Sequence, residues 1–232
     1  MADALSQLIK WCNENTGFLS LLIFIALLLF GWLSGIFRAL RNRPKFIIDI
    51  VDQPAFCCTF DTGRERNGYK THRTAIVLYL KITNRGSASS SIDSIEVGSH
   101  NYTFKYTFLW YWIKQTTSLR DFCVDMGHGD LKIYPFLTQK NFLMVNEITS
   151  FLDVGRITSG IEYFEQFESC GGFRPRISQG NVRIKVRVKD AFGKYHSKVL
   201  KIPEVDLEKA RKFNEEFGMT IEKMEYPKPD EK

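Results

Sequence analysis

The chain has 232 residues and a formal net charge of +6, with an ordinary globular balance apart from its aromatics, 19 Phe and 9 Tyr. Residues 204–232 hold six basic and nine acidic side chains, so that stretch carries −3 and the rest +9; a basic body of this kind suits an anionic membrane surface at least as well as nucleic acid. Five cysteines, two of them adjacent and none in a CxxC pair, exclude a disulfide framework and the usual zinc spacings, and read as buried reduced thiols of a reducing compartment.

The first element is an anchor with a lead-in. Ala4, Leu5, Leu8, Ile9 and Cys12 recur at helical spacing beside Trp11, so residues 1–16 read as an amphipathic lead-in with Trp11 at headgroup level. Gly17 to Phe37 holds no charged residue and matches the ~20 apolar residues that cross a bilayer core. A transmembrane helix over 17–37 is expected, with the lipid bilayer as its partner. The run is longer than a secretory h-region and no basic n-region precedes it closely, which favours an uncleaved anchor. Arg38, Arg41, Arg43 and Lys45 follow in a basic juxtamembrane linker, 38–45, against Lys10 alone before the span. The positive-inside rule then places the N-terminus outside and the rest in the cytoplasm, at the inner (cell) membrane. Gly31, Gly35 and Ala39 form a small-xxx-small series expected on one helix face, where it would permit self-association and a homodimer.

A β-rich region, 46–203, follows Pro44. Phe46–Val51 and Ala55–Phe60 are short strand candidates, and Asp61–His72 reads as a polar loop with turn signals at Thr62-Gly63 and Asn67-Gly68. Thr74–Thr83 alternates cleanly, with Ile76, Leu78, Leu80 and Ile82 on one face. Ser91–Val97 comes next. Tyr102, Phe104, Tyr106, Phe108, Trp110 and Trp112 share a face if that segment is extended, and Gln115–Asp130 reads as a polar loop. Ile133–Val145, Ile148–Val154, Ile161–Phe167, Val182–Val188 and His196–Ile202 complete the strand candidates. Asp206 is placed to cap a helix over 204–218, and 219–232 reads as a flexible tail.

Many short strands with turns at roughly ten-residue intervals point to a β-sandwich. Leu80–Gly86 (LKITNRG), Phe151–Gly155 (FLDVG) leading to Gly160–Phe164 (GIEYF), and Val186–Gly193 (VRVKDAFG) resemble bacterial membrane-anchored immunoglobulin-like sandwiches. The resemblance covers about half of residues 46–203 and implies a fold: mainly β, an immunoglobulin-like β-sandwich behind an N-terminal transmembrane helix, with a short C-terminal helix. It departs from that pattern in the aromatic insertion 102–134 and in lacking a Cys-Trp-Cys arrangement. Likeness of fold carries no function.

Four constellations have chemical content. Asp121, Cys123, Asp125, His128 and Asp130 mix metal-ligand types at a spacing that matches no established site, so a solvated loop is expected and no metal or cofactor. No GxSxG, P-loop, GxGxxG or HExxH is present, which argues against an enzyme of those classes. Arg183, Lys185, Arg187 and Lys189 alternate with Val182, Ile184, Val186 and Val188; a strand would put four cations on one face, either a solvated sheet surface or a face for an anionic ligand. The aromatics do not interleave with these cations in sequence, which argues against nucleic acid. Phe104, Phe108, Trp110 and Trp112 lie in a run that reads as core, as a partner patch or as a membrane-dipping edge. The expected role is a membrane-tethered module that binds or scaffolds another protein. The alternative is a membrane-perturbing sensor-effector whose sandwich binds an anionic ligand while its span self-associates.

Overall fold

A computed structural model of the protein describes residues 2–35, 42–103, 108–116, 121–126, 131–138 and 151–218. It divides into two compact units, residues 1–43 and residues 44–232.

In the first unit, α1 (Ala2–Glu14) and α2 (Thr16–Leu33) are joined through Asn15. The i to i−4 backbone bonds run on across the joint, from Asn15 N–H to the Trp11 carbonyl and from Leu19 N–H to the Asn15 carbonyl. With a mean hydropathy of 2.4, α2 is long and apolar enough to cross a membrane. It stops earlier than the sequence suggests: Ser34 is the C-cap, and Gly35 follows at φ +74. That left-handed turn takes Gly35 off the helix, so Gly31 and Gly35 do not share a helix face. Ala39, Arg38 and Arg41 lie outside the described residues.

Among the described residues the second unit holds twelve strands: β1 (Phe46–Arg66), β2 (Tyr69–Asn84), β3 (Ser90–Ser99), β4 (Tyr111–Lys114), β5 (Phe122–Asp125), β6 (Leu131–Tyr134), β7 (Phe151–Leu152), β8 (Ile157–Glu165), β9 (Ser169–Cys170), β10 (Ile177–Ser178), β11 (Asn181–Asp190) and β12 (Tyr195–Pro203). One sheet has the order β1-β2-β8, with β9 beside the start of β2. In the other, β11 lies between β12 and β3, and β4 flanks β3. β5 and β6 form a separate hairpin.

The expected polar loop at Asp61–His72 is instead ladder. Asp61 pairs with His72, Glu65 with Lys70 and Arg66 with Tyr69, and the turn is only Asn67 and Gly68, both at positive φ. Positive φ at both central residues gives the hairpin turn whose twist matches the strands, which is why the Asn-Gly pair, rather than the polarity around it, sets the strand ends. The two short candidates Phe46–Val51 and Ala55–Phe60 are one strand, interrupted by a register shift between Ile50 and Ala55 at Pro54, which has no N–H to give the ladder.

Between the two sheets lies the larger core, with Ile76, Leu78, Leu80 and Ile82 of β2 against Val182, Ile184, Val186 and Val188 of β11. A second core covers the opposite face of the first sheet. There Ala75 and Val77 of β2 and Phe56 of β1 pack with Phe122, Tyr134 and Tyr163, and with Ala210 and Phe217 from the C-terminal segment. Phe122 touches Phe136, Tyr163 and Phe217 at ring-centroid distances of 6.0, 6.0 and 6.4 Å. The expected solvated loop at Gln115–Asp130 is therefore corrected: it supplies β5, whose Phe122 is fully buried. The C-terminal helix α3 (Leu207–Arg211) is capped as expected, the Asp206 carboxylate accepting from Lys209 N–H at 2.8 Å, but it is shorter than 204–218.

The sheets meet along both sides. Val205 N–H donates to the Cys57 carbonyl at 2.9 Å, joining the end of β12 to β1, and Thr116 N–H donates to the Tyr163 carbonyl at 3.0 Å, joining β4 to β8. Residues 135–137 lie along β8, with Ile161 N–H to the Pro135 carbonyl and Leu137 N–H to the Ile161 carbonyl. Gly160 makes this approach feasible, since a Cβ there would sit 2.5 Å from the Leu137 nitrogen.

Candidate anion-binding face

The outer face of the second sheet gathers two groups of residues that lie far apart in sequence. On β11 the apolar alternates point into the core, leaving Arg183, Lys185, Arg187 and Lys189 on the opposite face. Directly paired residues of antiparallel strands share a face. Register therefore places Lys201, Val199, Ser197 and Tyr195 of β12 beside these four cations, and Gly98, Glu96 and Ser94 of β3 beside Lys185, Arg187 and Lys189. Beyond β3, Trp112 and Lys114 of β4 pair with Gly98 and Glu96.

Gly98 explains how the tryptophans reach the cations. A Cβ at that position would lie 3.1 Å from Trp112 Cε3 and 3.2 Å from Trp110 Cβ, so glycine leaves both side chains room to lie close on the sheet, and a larger residue would push them out by a few tenths of an ångström. The Arg187 guanidinium carbon then sits 3.7 Å from the Trp112 ring centroid and 4.7 Å from that of Tyr195. Arg183 and Lys185 approach the Trp110 ring at 5.6 and 5.9 Å. His100 packs on Trp110 with centroids 4.0 Å apart, its Nδ1 against the Leu109 carbonyl. Each cation–ring contact is worth about 0.5–1 kcal/mol where exposed and up to about 2 where desolvated.

The four cations are not equivalent. Arg187 Nε donates to the Glu96 carboxylate, and Lys189 Nζ lies 2.9 Å from Asp93, which raises the lysine's pKa. Arg183 and Lys185 have no carboxylate within ion-pair distance among the described residues. The face thus has a partly neutralised end at Arg187 and Lys189, and an end at Arg183, Lys185 and Lys201 that is uncompensated among the described residues. An open cleft of about 370 Å³, lined by Glu96, Lys114, Gln115, Lys189 and Tyr195 among others, lies at the partly neutralised end.

The expected separation of aromatics from cations is corrected here, because the strands bring together what the sequence keeps about seventy positions apart. The expected single extended run Tyr102–Trp112 is also corrected: of its described residues, only Tyr111 and Trp112 belong to a strand, β4. Phe108 is 72% exposed, while Trp110 and Trp112 are half-buried against the cations. Phe104 lies outside the described residues. Gly98, His100, Glu96, Tyr195 and Lys201 had no role in the sequence reading; a glycine inside a strand pattern was the one signal available for them.

The remaining polar clusters are tied into the fold. His196 Nε2–H donates to Asp190 at 2.8 Å while its Nδ1 accepts from Phe46 N–H at 3.3 Å, clamping the start of β1 to the β11–β12 turn. His72 Nε2 lies 3.2 Å from Ser169 Oγ, and its buried Nδ1 has no hydrogen-bond partner among the described residues. Glu162 is fully buried. Its Oε1 accepts from Thr138 N–H at 2.9 Å and from Thr138 Oγ1 at 2.6 Å, while Oε2 has no hydrogen-bond partner among the described residues. Burial pushes this carboxyl up to about 8, against the opposing effect of the Thr138 bonds. Cys57 and Cys58 are buried, and burial pushes the Cys58 thiol up to about 12 and Cys57 further in the same direction. No group of three His, Cys, Asp or Glu side chains able to hold a metal occurs among the described residues, and His128 and Asp130 lie outside them. Compared with models of known protein families and with curated proteins, the chain matches none.

Proposed function

We propose that this chain is a single-pass membrane protein that presents a cytoplasmic β-sandwich as a binding module for another protein, through an acidic segment of that partner. The observation that carries the reading is the pair Arg183 and Lys185, which have no carboxylate partner among the described residues and lie beside the Trp110 ring. Arginine and tryptophan are the residues that most often anchor protein interfaces, and the absence of a countercharge leaves the attraction for the partner to supply. The openness of the sheet face at Arg183 and Lys185 suits a peptide segment.

Placement in the membrane rests on α2, read as an uncleaved anchor, and the cytoplasmic side rests on Arg38, Arg41, Arg43 and Lys45 after it. The strand order supports an immunoglobulin-like reading: β1-β2-β8 follows the A-B-E order of such domains, and β12-β11-β3 the G-F-C order. The sensor-effector alternative uses the same cations for a small anionic ligand, with a span that self-associates.

The test is gentle extraction of the full-length protein from its native membrane, followed by mass spectrometry of what copurifies at near-equal amounts. Arg183→Glu with Lys185→Glu is expected to remove that protein, since each reversal costs a charge-assisted contact of about 1.5–3 kcal/mol, about ten- to a hundredfold in affinity. Lys70→Glu, on the β1–β2 hairpin, should leave it in place. Capture unaltered by the double reversal would refute the assignment of this face.

A further inference from the structure

One end of the sandwich carries a second surface of different character. Four chain segments converge there and are bonded to one another. Arg85 N–H donates to the Lys45 carbonyl at 2.8 Å, Gly155 N–H to the Asn84 carbonyl at 2.7 Å, Asn84 N–H to the Arg156 carbonyl at 3.0 Å, and Ala191 N–H to the Ser91 carbonyl at 3.1 Å. Asn84 is the hub, with Nδ2 donating to the Ala88 and Leu152 carbonyls. These bonds tie the turns at this end to one another, so the fold sets where their side chains start.

What they display is apolar tips among cations. Phe192, at the β11–β12 turn, is 71% exposed, and Val154 and Ile157 are each more than half exposed. The Phe192 backbone is fixed by Asp190, whose Oδ1 accepts from Phe192 N–H at 3.0 Å and Lys194 N–H at 2.9 Å, so the turn that carries the exposed ring needs no ordering of its backbone. Arg85, Arg156 and Lys194 are exposed at the same end and form no ion pair among the described residues. Of the carboxylates nearby, Asp190 is buried against His196, while Asp153 is exposed and accepts from the Ser89 hydroxyl at 3.0 Å, one negative charge against the three cations. The second unit also begins at this end, beside Lys45.

We infer that this end of the sandwich, with Phe192, Val154 and Ile157 as apolar tips and Arg85, Arg156 and Lys194 as cations, docks on an anionic lipid surface. Separate apolar tips on interlinked turns insert between headgroups, whereas a protein interface prefers a contiguous patch ringed by polar groups. Each of the three cations contributes about a fivefold gain in partitioning to an anionic leaflet. Charge complementarity selects the occupant, because the tips alone would accept any apolar surface and the cations accept only an anionic one. The inference rests on the membrane-anchored reading and adds a docked posture to it.

The experiment uses full-length protein reconstituted into vesicles of phosphatidylglycerol and phosphatidylcholine with brominated acyl chains. Phe192→Trp is expected to add emission that the bromolipid quenches. Tyr69→Trp, exposed at the far end of the β1–β2 hairpin, should add emission that is not quenched. Arg85→Glu, Arg156→Glu and Lys194→Glu together should abolish quenching at position 192. If the added emission of Phe192→Trp is unquenched, or both positions are quenched alike, the inference is overturned. An alkaline carbonate wash separates the two readings. Protein that stays in the vesicles with position 192 unquenched refutes the docked posture alone, and protein that washes off refutes the anchor and the docking with it.

Discussion

Replacing Glu162 by glutamine tests the account of the buried polar groups most directly. In the native state the carboxyl is fully enclosed, with Oε1 bonded twice by Thr138 and Oε2 without a partner among the described residues, so it stays protonated up to about 8. In the unfolded chain it ionises at its ordinary 4.5. A folded-state pKa above the unfolded value gives stability that is complete below 4.5 and is lost as pH rises toward the folded value, because the native state must hold a proton that the unfolded chain has released. Across the interval from 4.5 to about 8, at about 1.4 kcal/mol per unit, the loss reaches about 5 kcal/mol. Glutamine has no proton to hold, so Glu162→Gln removes this slope. Its amide nitrogen, placed where Oε2 sits, would have no acceptor among the described residues and costs about 1–3 kcal/mol at every pH. The variant is therefore expected to be the weaker protein near pH 5 and to overtake the parent toward pH 8. Urea unfolding of both proteins in detergent, followed by tryptophan emission, measures this. Stability curves that run parallel at both pH values would refute the reasoning, since they would mean that the native carboxyl is already ionised.

Two further outcomes follow from the cores and the clamp. Phe122→Ala should cost about 3–5 kcal/mol, as for a large aromatic removed from a packed interior; if Phe122 lay in a solvated loop, the unfolding midpoint would scarcely move. Asp190→Asn should cost about 1–3 kcal/mol at neutral pH by breaking the bond to His196. The His196, Lys194 and Phe192 bonds together outweigh burial and keep the Asp190 carboxyl below its ordinary range. Its contribution is thus present above the unfolded pKa and lost as pH falls, and urea midpoints at neutral and acid pH should converge for parent and variant.

The strands that read clearly in sequence were those with one wet face. β11 alternates cation with valine or isoleucine because its outer side meets water, and period two is visible wherever a face is solvated. β2 was found for the same pattern but only half understood. Val77 and Ala75, on the side opposite Ile76 and Leu78, are as deeply buried as those residues, and nothing local reports the hairpin and C-terminal segment that cover them. Phe122 was missed because its neighbours in sequence are polar while its neighbours in space are Phe136, Tyr163 and Phe217. At the candidate face, the cations and the tryptophans were each legible as a spacing of two. Their union was not, because it is made by β3, whose contribution at that point is a glycine.

The joining of the two sheets along both sides bears on crowding. A tethered domain is confined to a plane, where its local concentration rises with every added copy, and exposed strand edges in such a film template sheet growth from one molecule to the next. Here the Cys57–Val205 and Tyr163–Thr116 bonds, with residues 135–137 along β8, occupy backbone groups that an incoming strand would need. At those points an incoming strand finds the backbone groups already taken, which limits sheet-to-sheet growth there.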